Sequence, residues 1–360
     1  MKKILVFVLV GISLFTLSAN GITRKQYLED INSLEDALKN YCISYEAIQK
    51  SKKFDIDKHL SDLKRKKMTS ISPYELFDVL CDAFKNIPDH HMSFSYHGEN
   101  SLLWEKEFKK LGESGNCIIS KDAQLYFSLP DFQSKETFEN IKRFELMDLS
   151  DFDKIILDLR GNTGGDFEIP AKMLYKLCGQ GYKDSARMGV CEKIILFKES
   201  PYYSFLRDKL SENEIRAIQK GKVITKTFNA SNNFLNLEKT PKAFSGEIII
   251  IVDGCTASSA ECLILFLKHK FLNLSIIGIE TAAAYSYGGA INAVLENSGI
   301  SIGVTQFQTR LAYLQDDFLD PETGIVPDFV TEDIKELEGV LHIKNVLENI
   351  VELVVVNYRI

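Results

Sequence analysis

After Phe15, no stretch of the 360-residue chain is apolar over enough positions to cross a bilayer as a helix. No long basic tract appears, and the formal net charge is −7, which argues against nucleic acid as a partner. The short run Lys64, Arg65, Lys66, Lys67 reads as a solvated face or helix end. There is no CxxC pair among the seven cysteines, and their odd number leaves any disulfide pairing unassigned. Most of them read as small apolar core residues. The six histidines include no HExxH or comparable ligand spacing, so no metal site is expected. Neither GxxxxGK[ST] nor GxGxxG occurs, which argues against a bound nucleotide cofactor. No repeat or low-complexity segment is present.

The composition, 45% hydrophobic and 26% charged, is that of a soluble globular protein, and the length suits a large domain with a smaller one. Met1-Lys2-Lys3 precedes an apolar run from Ile4 to Phe15, followed by small and polar residues. This layout predicts a secretory signal over residues 1–21, cleaved after Ala19 or Gly21, and an exported protein, periplasmic or secreted. An uncleaved membrane anchor is the other reading.

Residues 22 to about 88 read as helical, within a small N-terminal module over 22–100. Thr23 with Gln26 forms a capping box, and Ser72, Pro73 and Glu75 mark a second helix start. Pro88-Asp89-His90-His91 then enters an alternating strand through Met92, Phe94 and Tyr96. A histidine at such a strand end is a candidate general base, though a turn histidine bonded to a carbonyl fits equally. A metal would need His97 as a third ligand.

From residue 115 the pattern alternates strands and helices. Lys154–Leu159 reads as a strand of alternating character, followed by the glycine turn Arg160-Gly-Asn-Thr-Gly-Gly165 and a helix from about Glu168. Adjacent glycines let backbone N–H groups approach a ligand. Glu247–Val252 is a β-branched run expected to be buried on both faces. Asp253 to Thr256 breaks it, and a helix starts near Ser258. A serine at a sharp strand-to-helix junction lies beside unpaired helix N-terminal amides, the combination that acyl transfer requires. A plain helix cap by Ser258 or Ser259, supported by Glu261, accounts for the same residues. Cys255, in the preceding turn, is the weaker nucleophile candidate. Later come a strand at Leu274–Gly278, two strand-like runs around a turn at 297–299, and a C-terminal helix from Glu336 to about Val354.

Four blocks occur in order: Leu157-Asp-Leu-Arg-Gly-Asn-Thr-Gly-Gly165, Thr256-Ala-Ser-Ser-Ala-Glu261, Gly278-Ile-Glu-Thr281 and Gly324-Ile-Val-Pro-Asp328. Together they resemble the S41 family of serine peptidases, which comprises the C-terminal processing (tail-specific) proteases and the tricorn-like branch. Asp89-His90-His91 resembles the D-x-H element of some members. The resemblance implies an α/β fold, a crotonase/ClpP-like core of ββα units over 101–360, and peptide or protein substrates without metal or cofactor. It implies Ser258 as nucleophile, with the oxyanion hole at Gly164 or Gly165 together with the Ser259 amide. The Ser-Lys type carries a lysine in the loop after the G-x-E-T block. Here Ala282 to Gly288 contains none. The resemblance therefore points to the tricorn-like, histidine-using branch, with His91 as base. The acid that orients it falls before the G-x-x-P-D block, at Glu322, with Asp320 and Asp317 as alternatives. The segment between His91 and the core is too short for a PDZ domain. The expected function is an exported serine peptidase. The alternative is a catalytically inactive relative that binds peptides or apolar ligands, while a crotonase-type acyl-CoA enzyme fits export and the paired serine and glycine blocks poorly.

Overall fold

The computed structural model describes residues 21–52, 54–102, 109–111, 115–179, 190–229, 242–311 and 323–333. The chain divides into two units, each built from three separate stretches. The expected C-terminal helix lies outside the described residues.

The first unit draws on residues 1–106, 188–232 and 286–322. Its helices Arg24–Tyr41 and Pro73–Phe84 both begin with reciprocal caps. The Gln26 amide donates to Thr23 Oγ1 at 3.4 Å, and Thr23 N–H donates to Gln26 Oε1 at 2.9 Å. Ser72 and Glu75 repeat the exchange, with Pro73 supplying a pre-set φ in the first turn. Helical spacing places Tyr27, Ile31, Leu34 and Leu38 on one buried face, and Leu76, Leu80 and Phe84 on another. These pack with Phe94 of the strand Ser93–Tyr96 and with Ile302 and Val304 of the strand Ser301–Val304. Fully burying each such side chain is worth about 1.5–3 kcal/mol. Those strands belong to an antiparallel sheet in the order Ile291–Val294, Ser301–Val304, Ser93–Tyr96, Glu99–Leu102. A second antiparallel sheet orders Tyr287–Gly288, Phe307–Leu311, Val190–Leu196 and Ile224–Asn229.

The second unit draws on 107–187, 233–285 and 323–360. Its sheet runs Phe329–Val330, Leu274–Gly278, Glu247–Val252, Lys154–Asp158, Gln124–Ser128, Cys117–Lys121. All pairings are parallel except the last, which is antiparallel. The strands feed helices Lys135–Leu146, Glu168–Cys178 and Ser259–Lys270. This is a mixed α/β fold with a parallel-rich central sheet, and a parallel sheet needs such crossovers. Ile156, Ile249, Ile251, Ile277 and Tyr126 form one apolar cluster. The alternation expected for Lys154–Leu159 gives way to burial of every residue from Ile155 to Asp158, because the strand lies between two parallel neighbours in mid-sheet.

Candidate active site at the serine turn

The strand Glu247–Val252 lies between Lys154–Asp158 and Leu274–Gly278, so its C-terminal end opens beside theirs. Two turns leave that edge side by side, Arg160–Gly165 and Asp253–Ser258. Buried polar groups hold them together. Asp253 accepts from the amides of Gly161 (2.9 Å), Cys255 (3.0 Å) and Leu111 (3.1 Å). The Thr256 hydroxyl donates to the Leu159 carbonyl at 2.9 Å, and the Ala257 amide donates to the Asn162 carbonyl at 2.8 Å. Asn162 is fully buried and donates through Nδ2 to the Leu129 carbonyl, while its Oδ1 accepts from the Gly164 amide, both at 2.8 Å.

Below the glycine turn lies a buried ion pair. Arg160 donates through Nε and Nη2 to Asp158 at 2.6–3.1 Å and through Nη1 to the Leu111 carbonyl at 2.9 Å. The Tyr126 hydroxyl donates to the same carboxylate. Burial, reinforced by the Asp158 charge, pushes the Tyr126 phenol up, which keeps it a donor.

Ser258 takes φ 56° and ψ −122°, a backbone conformation that L residues rarely adopt. Such strain costs about 1–3 kcal/mol and persists only where the surroundings impose it. They do so here. The Ser258 amide donates to Glu261 Oε2 at 3.0 Å, and Glu261 is fully buried in the first turn of the helix Ser259–Lys270. The same carboxylate accepts from the Thr281 hydroxyl and from the amides of Ala283 (2.9 Å) and Ala284 (2.7 Å). Burial raises the Glu261 carboxyl to about 7, against four donors that favour the charged form. The Ile325 amide in turn donates to the Thr281 hydroxyl at 2.7 Å, and the Gly324 amide to Glu280 at 2.9 Å. The four sequence blocks are thus joined in one unit.

Gly164, at φ +89°, lies directly against the serine. A Cβ there would stand 2.8 Å from Ser258 Cβ and 3.0 Å from both the Ala257 carbonyl oxygen and the Ser259 amide nitrogen. Gly164→Ala must therefore move the serine backbone. Since a misplacement near 1 Å can cost 10²-fold, the rate of reaction with a serine-directed phosphonylating reagent should fall by roughly 100-fold. A wild-type rate in a folded Gly164→Ala protein would show that the serine turn does not depend on this contact.

Of the expected site residues, Ser258, Ser259, Gly164 and Gly165 come together at this turn. The Gly164 amide is occupied by Asn162, whereas the Gly165 and Ser259 amides make no hydrogen bond among the described residues. Ser258 remains partly accessible. Burial, with the Asp253 charge adding to it, pushes the half-buried Cys255 thiol up and keeps it protonated. His91 belongs to the first unit, where it is partly accessible and follows the buried Asp89. Burial lowers its basicity, with Asp89 opposing, so the ring is neutral near pH 7 and able to accept a proton. Glu322, Asp320 and Asp317 lie outside the described residues. Sequence reading did not anticipate Asn162 or the reach of Glu261 to Ala283 and Ala284. The only local signal was the three-residue spacing from Ser258 to Glu261.

The model for peptidase family S41 matches residues 124–331, more than half of the chain. The chain belongs to peptidase family S41. As an S41 member it is a peptidase by family, with peptides or proteins as its substrates. No curated protein sequence matches it. Among solved structures, it is similar to a candidate peptidase from Parabacteroides merdae ATCC 43184, with TM-score 0.54 and 16% identity over 89% of this chain and 96% of that one. It is also similar to mature CPAF complexed with lactacystin, with TM-score 0.58 and 11% identity over 93% and 99% of the two chains. At such identities the likeness concerns the fold. Among the described residues of this S41 chain, no helix is long and apolar enough to cross a membrane.

Proposed function

We propose that the protein is an exported serine peptidase of the tricorn-like, histidine-using branch of S41. The observation that carries this reading is the strained Ser258, held at a strand-to-helix junction against Gly164 in an S41 chain. Ser258 attacks the peptide carbonyl and His91 takes its proton, later returning it to the leaving amine. The Gly165 and Ser259 amides hold the developing oxyanion. Gly164 shapes the turn, since its own amide serves Asn162. An acid before Gly324, Glu322 in preference to Asp320 or Asp317, orients the imidazole. No metal or cofactor enters these steps.

Two observations support the branch. The loop from Ala282 to Gly288 carries no lysine, and Asp89 stands two residues before His91. The basic start followed by the apolar run Ile4–Phe15 supports export.

A fluorophosphonate probe should label the wild-type protein at one residue. Labelling should disappear in Ser258→Ala and slow by roughly 10²-fold or more in His91→Ala, the scale of general-base contributions. A folded wild-type protein that takes no label would overturn the catalytic reading in favour of an inactive peptide binder. Undiminished labelling of His91→Ala would remove His91 from the mechanism.

A further inference from the structure

Asp89 is fully buried in the first unit, and no lysine or arginine pairs with it among the described residues. Its partners are all neutral. The Ser44 hydroxyl and the Thr305 hydroxyl (2.6 Å) both donate to Oδ2, and the His91 amide donates to Oδ1 at 3.1 Å. The two hydroxyls come from opposite ends of the chain, and the Ile43 amide, donating to the Thr305 carbonyl at 2.9 Å, joins their segments. The Met92 amide donates to the Asp89 carbonyl at 3.1 Å, so the residues on both sides of the His91 peptide are tied to Asp89.

A buried carboxylate without a cation is costly. Three hydrogen bonds offset part of that cost, but they supply no opposite charge. A positive charge forming two residues away would supply it. His91 acquires such a charge whenever its imidazole takes a proton.

We propose that Asp89, fixed by the Ser44 and Thr305 hydroxyls, is a positioning residue that holds the His91 segment and acts as the electrostatic partner of the imidazolium formed there. The role rests on the peptidase reading, but its physical content is a charge coupling measurable without turnover. Asp89 is the charged group that acts on His91. The nearby Cys42 thiol is pushed up by burial, with the Asp89 charge adding to it, and stays neutral. Opposite charges within a few ångströms shift a pKa by roughly 1–3 units.

The test is an NMR titration of the His91 ring in the full-length Ser258→Ala protein, with and without Asp89→Asn. Asparagine keeps the shape and an acceptor oxygen for the His91 amide but removes the charge. The His91 pKa should fall by roughly 1 unit in the Asp89→Asn background. An unchanged His91 pKa overturns the proposal. The second arm is Asp89→Glu, which keeps the charge: the His91 pKa should stay near its wild-type value there, and a fall equal to that expected for Asp89→Asn also overturns the proposal. This arm retains the carboxylate, so it stands if Asp89→Asn does not fold.

In the active enzyme the acid limb of kcat/KM should move to lower pH in Asp89→Asn. At the plateau kcat should fall by at least tenfold, with KM little changed. Failure of the titrations sinks the Asp89 role and leaves the peptidase reading intact. Failure of turnover in the wild type sinks the peptidase reading and leaves the titrations interpretable.

Discussion

Ser258→Ala is expected to lower kcat/KM by at least about 10⁴-fold, and Ser258→Gly to do the same while giving a protein more stable than the alanine variant. Loss of activity follows from removing the nucleophile. The gain in stability follows from the backbone. At φ 56° and ψ −122° any L side chain is strained, at a cost of about 1–3 kcal/mol. Alanine keeps that strain. Glycine removes it, at a penalty of about 0.5–1 kcal/mol for its larger unfolded-state freedom. The bond from the residue-258 amide to Glu261 survives in both variants, because it uses only the backbone on that side. The net expectation for glycine over alanine is about 1 kcal/mol of added stability. Thermal or urea melts of the two variants measure it. A glycine variant that melts below the alanine variant would mean that the junction is relaxed, and the strained-serine argument would fall.

Arg160→Met should destabilise the second unit by about 3–5 kcal/mol, the usual consequence of stripping one partner from a buried ion pair. Asp158 has no exposed surface and Arg160 is only 4% exposed, so water cannot replace the guanidinium. The Tyr126 hydroxyl and the Arg160 amide would remain on the carboxylate, but neither carries charge. The loss should show as a lower urea midpoint and, because Gly161 follows directly, as loss of phosphonylation. Adding Asp158→Asn to Arg160→Met should recover part of the stability, since the uncompensated charge is then gone. A single Arg160→Met variant that unfolds like wild type would show that solvent reaches Asp158 after all.

Much of the second unit could be read from local pattern. The run Ile248–Val252 is hydrophobic without alternation, and it is a central strand with parallel neighbours on both sides. In the first unit, Thr23 and Ser72 mark helix starts because a hydroxyl three residues before a Gln or Glu satisfies the same backbone amide donors in any fold. Ser258 stood out because the periodicity changes from strand to helix around it. What could not be read depends on residues far apart in the chain. Asp89 meets Thr305 across 216 positions. Glu261 bonds the amides of Ala283 and Ala284, and backbone amides leave no trace in residue identity. The strands Phe307–Leu311 and Ile224–Asn229 mix polar and apolar residues without a clear period. They are strands because the Val190–Leu196 strand offers each of them an edge. The Gly164 amide, a natural oxyanion donor by sequence position, is claimed by the side chain two residues earlier.

Each unit is assembled from three pieces of chain interleaved with those of the other. A ribosome delivers the helices bearing Tyr27, Leu34 and Phe84 long before it delivers Ile302 and Val304, which share their core. The nascent N-terminal segment must therefore stay soluble with an unfinished apolar interior while some two hundred further residues are translated. No truncation that stops short of Val304 can leave that interior closed, and a fragment boundary drawn at residue 106 would split the first unit while keeping all three stretches of the second on one fragment.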